Sequence, residues 1–144
     1  MPEAATEPEL PFRILPRLTD RNRRLWAGFV VGGETRRLYH PGDTALFDGF
    51  TEIGRRVGPI DLACIPIGGY EPRAIMRPIH LNPEEAVRAA LDLDARAVVG
   101  MHFGTFDLSD EPLDEPPRRF LAEARARGLG QRAFVMAIGE TRGF

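Results

Sequence analysis

With 144 residues, 43% of them hydrophobic and 28% charged, the chain has the length and balance of one globular domain rather than of a disordered polymer. A formal net charge of −2 gives no electrostatic case for nucleic acid or an anionic membrane as partner, and every basic residue is arginine. The single cysteine excludes an internal disulfide and any multi-cysteine zinc site, and no apolar stretch is long enough to span a bilayer.

Residues 1–11 read as a disordered leader, acidic and proline-containing, without the basic start and apolar run of an export signal; the cytoplasm is the expected location. The arginines of residues 13–24 read as a solvated approach to a strand, with phosphate binding as the alternative. Residues 25–31 form the first expected strand, rich in aromatic and β-branched side chains, and Gly32-Gly33 turns the chain so that residues 36–40 return beside it as a hairpin. The hairpin delivers Gly42-Asp43-Thr44 into a loop.

Leu46, Phe47, Phe50, Ile53 and Val57 then fall at helical spacing, and Gly58-Pro59 ends that helix. Residues 61–67 are a continuous apolar run, the pattern of a strand covered on both faces, with Cys64 as a small buried hydrophobe. A loop carries Gly68-Gly69-Tyr70-Glu71-Pro72-Arg73. Asn82 caps the next helix, with Pro83 at its first position, Glu84 and Glu85 in its first turn, and Ala86, Val87, Ala90 and Leu91 as its buried stripe. Residues 97–101 make another buried strand ending at His102. Asp107, Asp110, Glu111, Asp114 and Glu115 mark a solvated, mobile acidic loop. A helix over residues 117–127, stopped by Gly128, and a last strand over residues 134–137 complete the chain.

This alternation predicts an α/β layer with a mixed sheet and helices on one face. Strands that read as apolar on both sides leave the other face bare, so a second layer belongs there, from a partner, a second copy or further sequence. Two residues stand out for chemistry. Asp43 and His102 each follow a strand end, where a carboxylate and an imidazole can converge on one divalent metal. A turn-stabilising aspartate and a histidine bonded to a backbone carbonyl are the alternatives. His40, beside the first of these motifs, reads as incidental or supporting. There is no Gly-x-Ser-x-Gly elbow, P-loop or dinucleotide fingerprint.

The motifs, taken in order, resemble the metallo-β-lactamase superfamily. They are Asp20-Arg21-Asn22-Arg23-Arg24-Leu25-Trp26, Gly42-Asp43-Thr44, the run from Ile53 to Ala63, Ile65-Pro66-Ile67-Gly68-Gly69-Tyr70-Glu71-Pro72-Arg73, His80, Asn82-Pro83-Glu84-Glu85-Ala86-Val87 and His102-Phe103-Gly104-Thr105-Phe106. The likeness is to the branch containing N-acylphosphatidylethanolamine-hydrolysing phospholipase D and similar bacterial zinc hydrolases. It implies an αββα sandwich with one or two zinc ions between its halves, of which residues 12–144 would be the C-terminal half. By position, Asp43 would be the metal-bridging carboxylate and His102 the last histidine ligand. His80 would lie beside a substrate phosphate, as a binding group or general acid, and Tyr70 and Arg73 would border that pocket. The implied substrate is a phosphodiester or phospholipid-like molecule, and peripheral membrane contact would go with it.

The same resemblance exposes what is missing. The family's His-x-His-x-Asp-His segment is absent, and Ile14-Leu15-Pro16-Arg17-Leu18-Thr19 stands where a further histidine is usual. With two family ligands against the three a catalytic zinc takes, this chain alone is expected to bind zinc poorly. Activity would need the ligand-bearing N-terminal half, as a separate chain or as upstream sequence; a homodimer through the bare sheet face goes with a non-catalytic role. Two other readings stay open: a non-catalytic remnant or interaction module, and a lactonase-type hydrolase on the same site.

Overall fold

The computed structural model describes residues 26–144. The expected leader, the arginine-rich segment, the Asp20-Arg21-Asn22 motif and the start of the first strand lie outside the described residues.

Strand β1 (Phe29–Gly32) and strand β2 (Arg37–His40) form the expected antiparallel hairpin, with Val30 opposite Tyr39 and the turn closed by Gly33 N–H to the Arg36 carbonyl at 2.8 Å. Helix α1 (Gly49–Val57) follows the Asp43 loop. Leu46 and Phe47, expected inside this helix, precede it but still pack on the core, Phe47 against Phe50 with ring centroids 4.5 Å apart. Strand β3 (Leu62–Pro66) runs parallel to β2. A short helix α2 (Arg73–Met76), not foreseen in what read as loop, leads to helix α3 (Pro83–Asp92).

Strand β4 (Ala97–Met101), helix α4 (Glu115–Ala126), a turn of 3-10 helix and strand β5 (Ala133–Val135) complete the order, β3, β4 and β5 being parallel neighbours. The last strand is shorter than expected. Met136 and Ala137 leave it for a turn in which Ala137 N–H donates to Glu140.

The five strands lie side by side in chain order, β1-β2-β3-β4-β5. Period-two alternation sorts their side chains. Tyr39, Ala63, Ile65, Val98 and Ala133 face the helices and join Phe50, Ile53, Val87 and Phe120 in the main core. Leu62, Val99 and Phe134, with Leu38, Cys64 and Ala97, form a second apolar cluster on the opposite face, which contains no buried helix residue. Phe29 and Val31 are exposed, and Arg142 lies over the Phe134 ring at 4.3 Å. Among the described residues the helices thus lie on one face, as expected from the sequence, but Leu62, Val99 and Phe134 on the other face are buried rather than bare.

One expectation about α3 needs correction. Leu91 is 39% exposed, while Ala89 and Leu93 are buried. The covered stripe runs Ala86, Ala89/Ala90, Leu93, a true three-to-four-residue spacing that puts Leu91 on the outer shoulder.

Candidate functional site

The parallel arrangement brings the C-terminal ends of β2, β3 and β4 to one edge of the layer, where open α/β sheets commonly build their sites. Asp43 follows β2, the Gly68-Gly69 turn and His80 follow β3, and His102 follows β4.

His102 adopts φ +58°, a left-handed conformation uncommon outside glycine. From there its Nε2 lies 2.9 Å from Asp43 Oδ1, and both side chains are open to solvent, 42% and 59% exposed. Gly42 in front of Asp43 also takes a positive φ, and its N–H donates to His40 Nδ1 at 3.1 Å. His40 thus shapes the Asp43 turn. The His80 ring stands edge-on to His102, with centroids 5.4 Å apart and planes at 78°. His80 Nδ1 is buried without a hydrogen-bond partner. Burial pushes the His80 pKa down; the Asp43 carboxylate opposes that shift and His102 adds to it.

Asp43, His80 and His102 therefore converge as the sequence suggested. Tyr70 and Arg73 are placed differently, in supporting contacts. The Tyr70 ring is fully buried, and its hydroxyl donates to Glu115 at 2.7 Å and accepts from Arg119 at 3.3 Å. Its phenol is pushed up by burial and by Glu115. Arg73 donates to both carboxylate oxygens of Glu85, at 2.7 and 2.8 Å, and to the His80 carbonyl at 3.2 Å. It anchors the backbone that carries His80.

The acidic loop is corrected most sharply. Glu111 is 7% exposed, and Glu115 is held by Tyr70 and Arg119 rather than solvated. Glu111 accepts backbone N–H bonds from Gly69, Tyr70 and Glu71. Sequence reasoning missed it because nothing local separates it from the exposed acids Asp107, Asp110 and Asp114. Beside His102, a cavity of about 280 Å³ is lined by Phe103, Phe106, Leu108, Glu111, Leu113 and Pro116.

A family model described as a beta-lactamase superfamily domain matches residues 5–103, a stretch that includes Asp43, His80 and His102. The chain belongs to the metallo-β-lactamase superfamily. Among curated relatives of this superfamily member, an N-acyl-phosphatidylethanolamine-hydrolyzing phospholipase D of Caenorhabditis elegans is 48% identical over 107 residues, 74% of this chain and 30% of the worm protein. A metal-dependent hydrolase of Rubrobacter xylanophilus is 43% identical over 117 residues, 81% of this chain and 43% of that protein. Among solved structures, Igni18, a metallo hydrolase of the archaeon Ignicoccus hospitalis, superposes with a TM-score of 0.66 at 29% identity, covering 85% of this chain and 47% of that one. The chain thus spans well under two thirds of the length of each.

The residues present fit only part of a metallo-β-lactamase metal centre. A carboxylate and an imidazole of the right chemistry meet at 2.9 Å. Among the described residues, however, no group of three His, Cys, Asp or Glu side chains is placed to hold a metal ion.

Proposed function

We propose that this chain carries part of the active centre of a zinc-dependent hydrolase acting on phosphodiesters of the N-acylphosphatidylethanolamine type. The observation that carries the reading is the convergence of Asp43, His80 and His102 at the ends of three adjacent parallel strands. Asp43 and His102 would supply two metal ligands, and His80 would face the substrate phosphate. The remaining ligands would come from outside this sequence, as a preceding segment or a separate chain packed against the sheet. Zinc in such a centre acidifies a bound water and polarises the phosphoryl oxygens. Similarity to the worm phospholipase supports a phospholipid substrate, with which contact at a membrane surface would go. No helix among the described residues is long and apolar enough to cross a membrane.

The test is reconstitution. The chain is mixed with the ligand-bearing N-terminal portion of a related hydrolase in zinc-containing buffer, and metal content, native mass and cleavage of N-acylphosphatidylethanolamine are measured. The reading expects about one or two zinc ions per complex, phosphodiester cleavage, and loss of both in His102→Ala. A stable complex without zinc or cleavage would sink it and favour a non-catalytic interaction module, the reading that the incomplete ligand set otherwise supports. Cleavage of lactones in place of phosphodiesters would keep the metal centre and replace the substrate class.

A further inference from the structure

Glu111 lies in the connection between β4 and α4, and burial singles it out from its exposed neighbours Asp110 and Asp114. Its Oε1 accepts from Gly69 N–H at 2.5 Å and from Tyr70 N–H at 3.4 Å, and its Oε2 accepts from Glu71 N–H at 3.0 Å. Three consecutive backbone donors aimed at one carboxylate make a preformed nest for negative charge. The chain is stitched a second time where Asp110 N–H donates to the Glu71 carbonyl at 3.3 Å. The β4–α4 connection is thereby tied to the turn after β3.

That turn sits between the two histidines. Gly68 packs so closely on the strand end that a side chain there would collide with the His102 carbonyl and with Phe103. Gly69, at φ +75°, lies beneath the His80 ring, where a Cβ would come 3.6 Å from Nδ1. One glycine therefore backs His102 and the next backs His80. The spacing of the two rings depends on where this turn is held, and Glu111 is what holds its N–H groups.

We infer that Glu111 is a positioning residue for the His80–His102 pair: it fixes the Gly68-Gly69 turn, and the turn fixes the imidazoles. This rests on the reading of His80 and His102 as site residues, and it assigns Glu111 no contact with substrate or metal. Asp61 supplies a matched comparison. It is also a buried carboxylate, accepting from Arg37 N–H and from the Arg36 and Arg96 guanidiniums, but it lies at the opposite ends of the strands.

The experiment is a long-range proton–nitrogen correlation spectrum of the histidine side chains in the full chain at one fixed pH, for wild type, Glu111→Gln and Asp61→Asn. In Glu111→Gln the His80 and His102 signals are expected to move or broaden. The His40 signals, from a ring bonded to Gly42 and not to the turn, stay in place. Asp61→Asn is expected to leave all of them where they were. Unmoved His80 and His102 signals in folded Glu111→Gln would overturn the inference, and so would equal movement in Asp61→Asn, which would reduce Glu111 to general packing. Should Glu111→Gln not fold, Glu111→Asp, which keeps the charge and withdraws it by one methylene, is read by the same criterion. The spectra require neither metal nor substrate. A displaced pair in a protein that never cleaves phosphodiesters would therefore count against the proposed reaction alone. An undisturbed pair in an active one would count against Glu111 alone.

Discussion

At the scale of single residues, the site edge is built from backbone conformations that few side chains tolerate. Gly68 has no room for a methyl group because the His102 carbonyl occupies the space a Cβ would take. Gly68→Ala must push the β3 and β4 ends apart, and overpacking of this kind costs about 1–3 kcal/mol. Urea unfolding of the variant should report a loss in that range, with a preserved slope. Glu111 yields a prediction in pH. Burial raises the pKa of its carboxyl, but the N–H groups of Glu71 and Gly69, its own backbone and the Ser109 hydroxyl together outweigh burial and hold it below the ordinary value. A carboxyl depressed in the folded state contributes stability that is present above its unfolded pKa of about 4.3 and is lost as pH falls through the folded value. Thermal unfolding should therefore find the advantage of wild type over Glu111→Gln complete near neutrality and shrinking below about pH 4. A gap that widened in acid would contradict this account.

Among the elements, α3 was the most legible in advance and the β4–α4 connection the least. The α3 start is local chemistry. Asn82 accepts from Glu85 N–H at 2.8 Å while the Glu85 carboxylate accepts from Asn82 N–H at 3.1 Å, a reciprocal pair visible in four consecutive residues. Asn82→Ala should cost about 1 kcal/mol, read from the urea midpoint. Because Glu85 also holds Arg73, and Arg73 holds the His80 carbonyl, the same change loosens the segment entering the site. Glu111 had no such signature, since its partners lie about 40 residues earlier in the chain. Only the folded chain brings them within bonding distance. Tyr70 and Arg73 stand out from the neighbourhood of a motif, but their partners Glu115 and Glu85 lie 45 and 12 residues further along the chain. Asp43 and His102 could be found because position after a strand is enough to place them; what holds them could not.

For the molecule as a whole, the decisive property is a sheet with helices on one side. Leu62, Val99 and Phe134 on the other face are buried, whereas Phe29 and Val31 on the outermost strand are exposed. Apolar side chains exposed on an outermost strand invite association. Sedimentation of the isolated chain should show mass rising with concentration, and replacing Phe29 and Val31 together by lysine should return it toward monomer. A monomer at all concentrations would mean that this face is covered already. The strand order carries a further consequence. Because spatial order follows chain order, β1, which begins at Phe29, is an outermost strand among the five described. A cut at that point would break no strand pairing described here. The sheet therefore tolerates a fused domain or linker ahead of Phe29 with no strand of the layer interrupted.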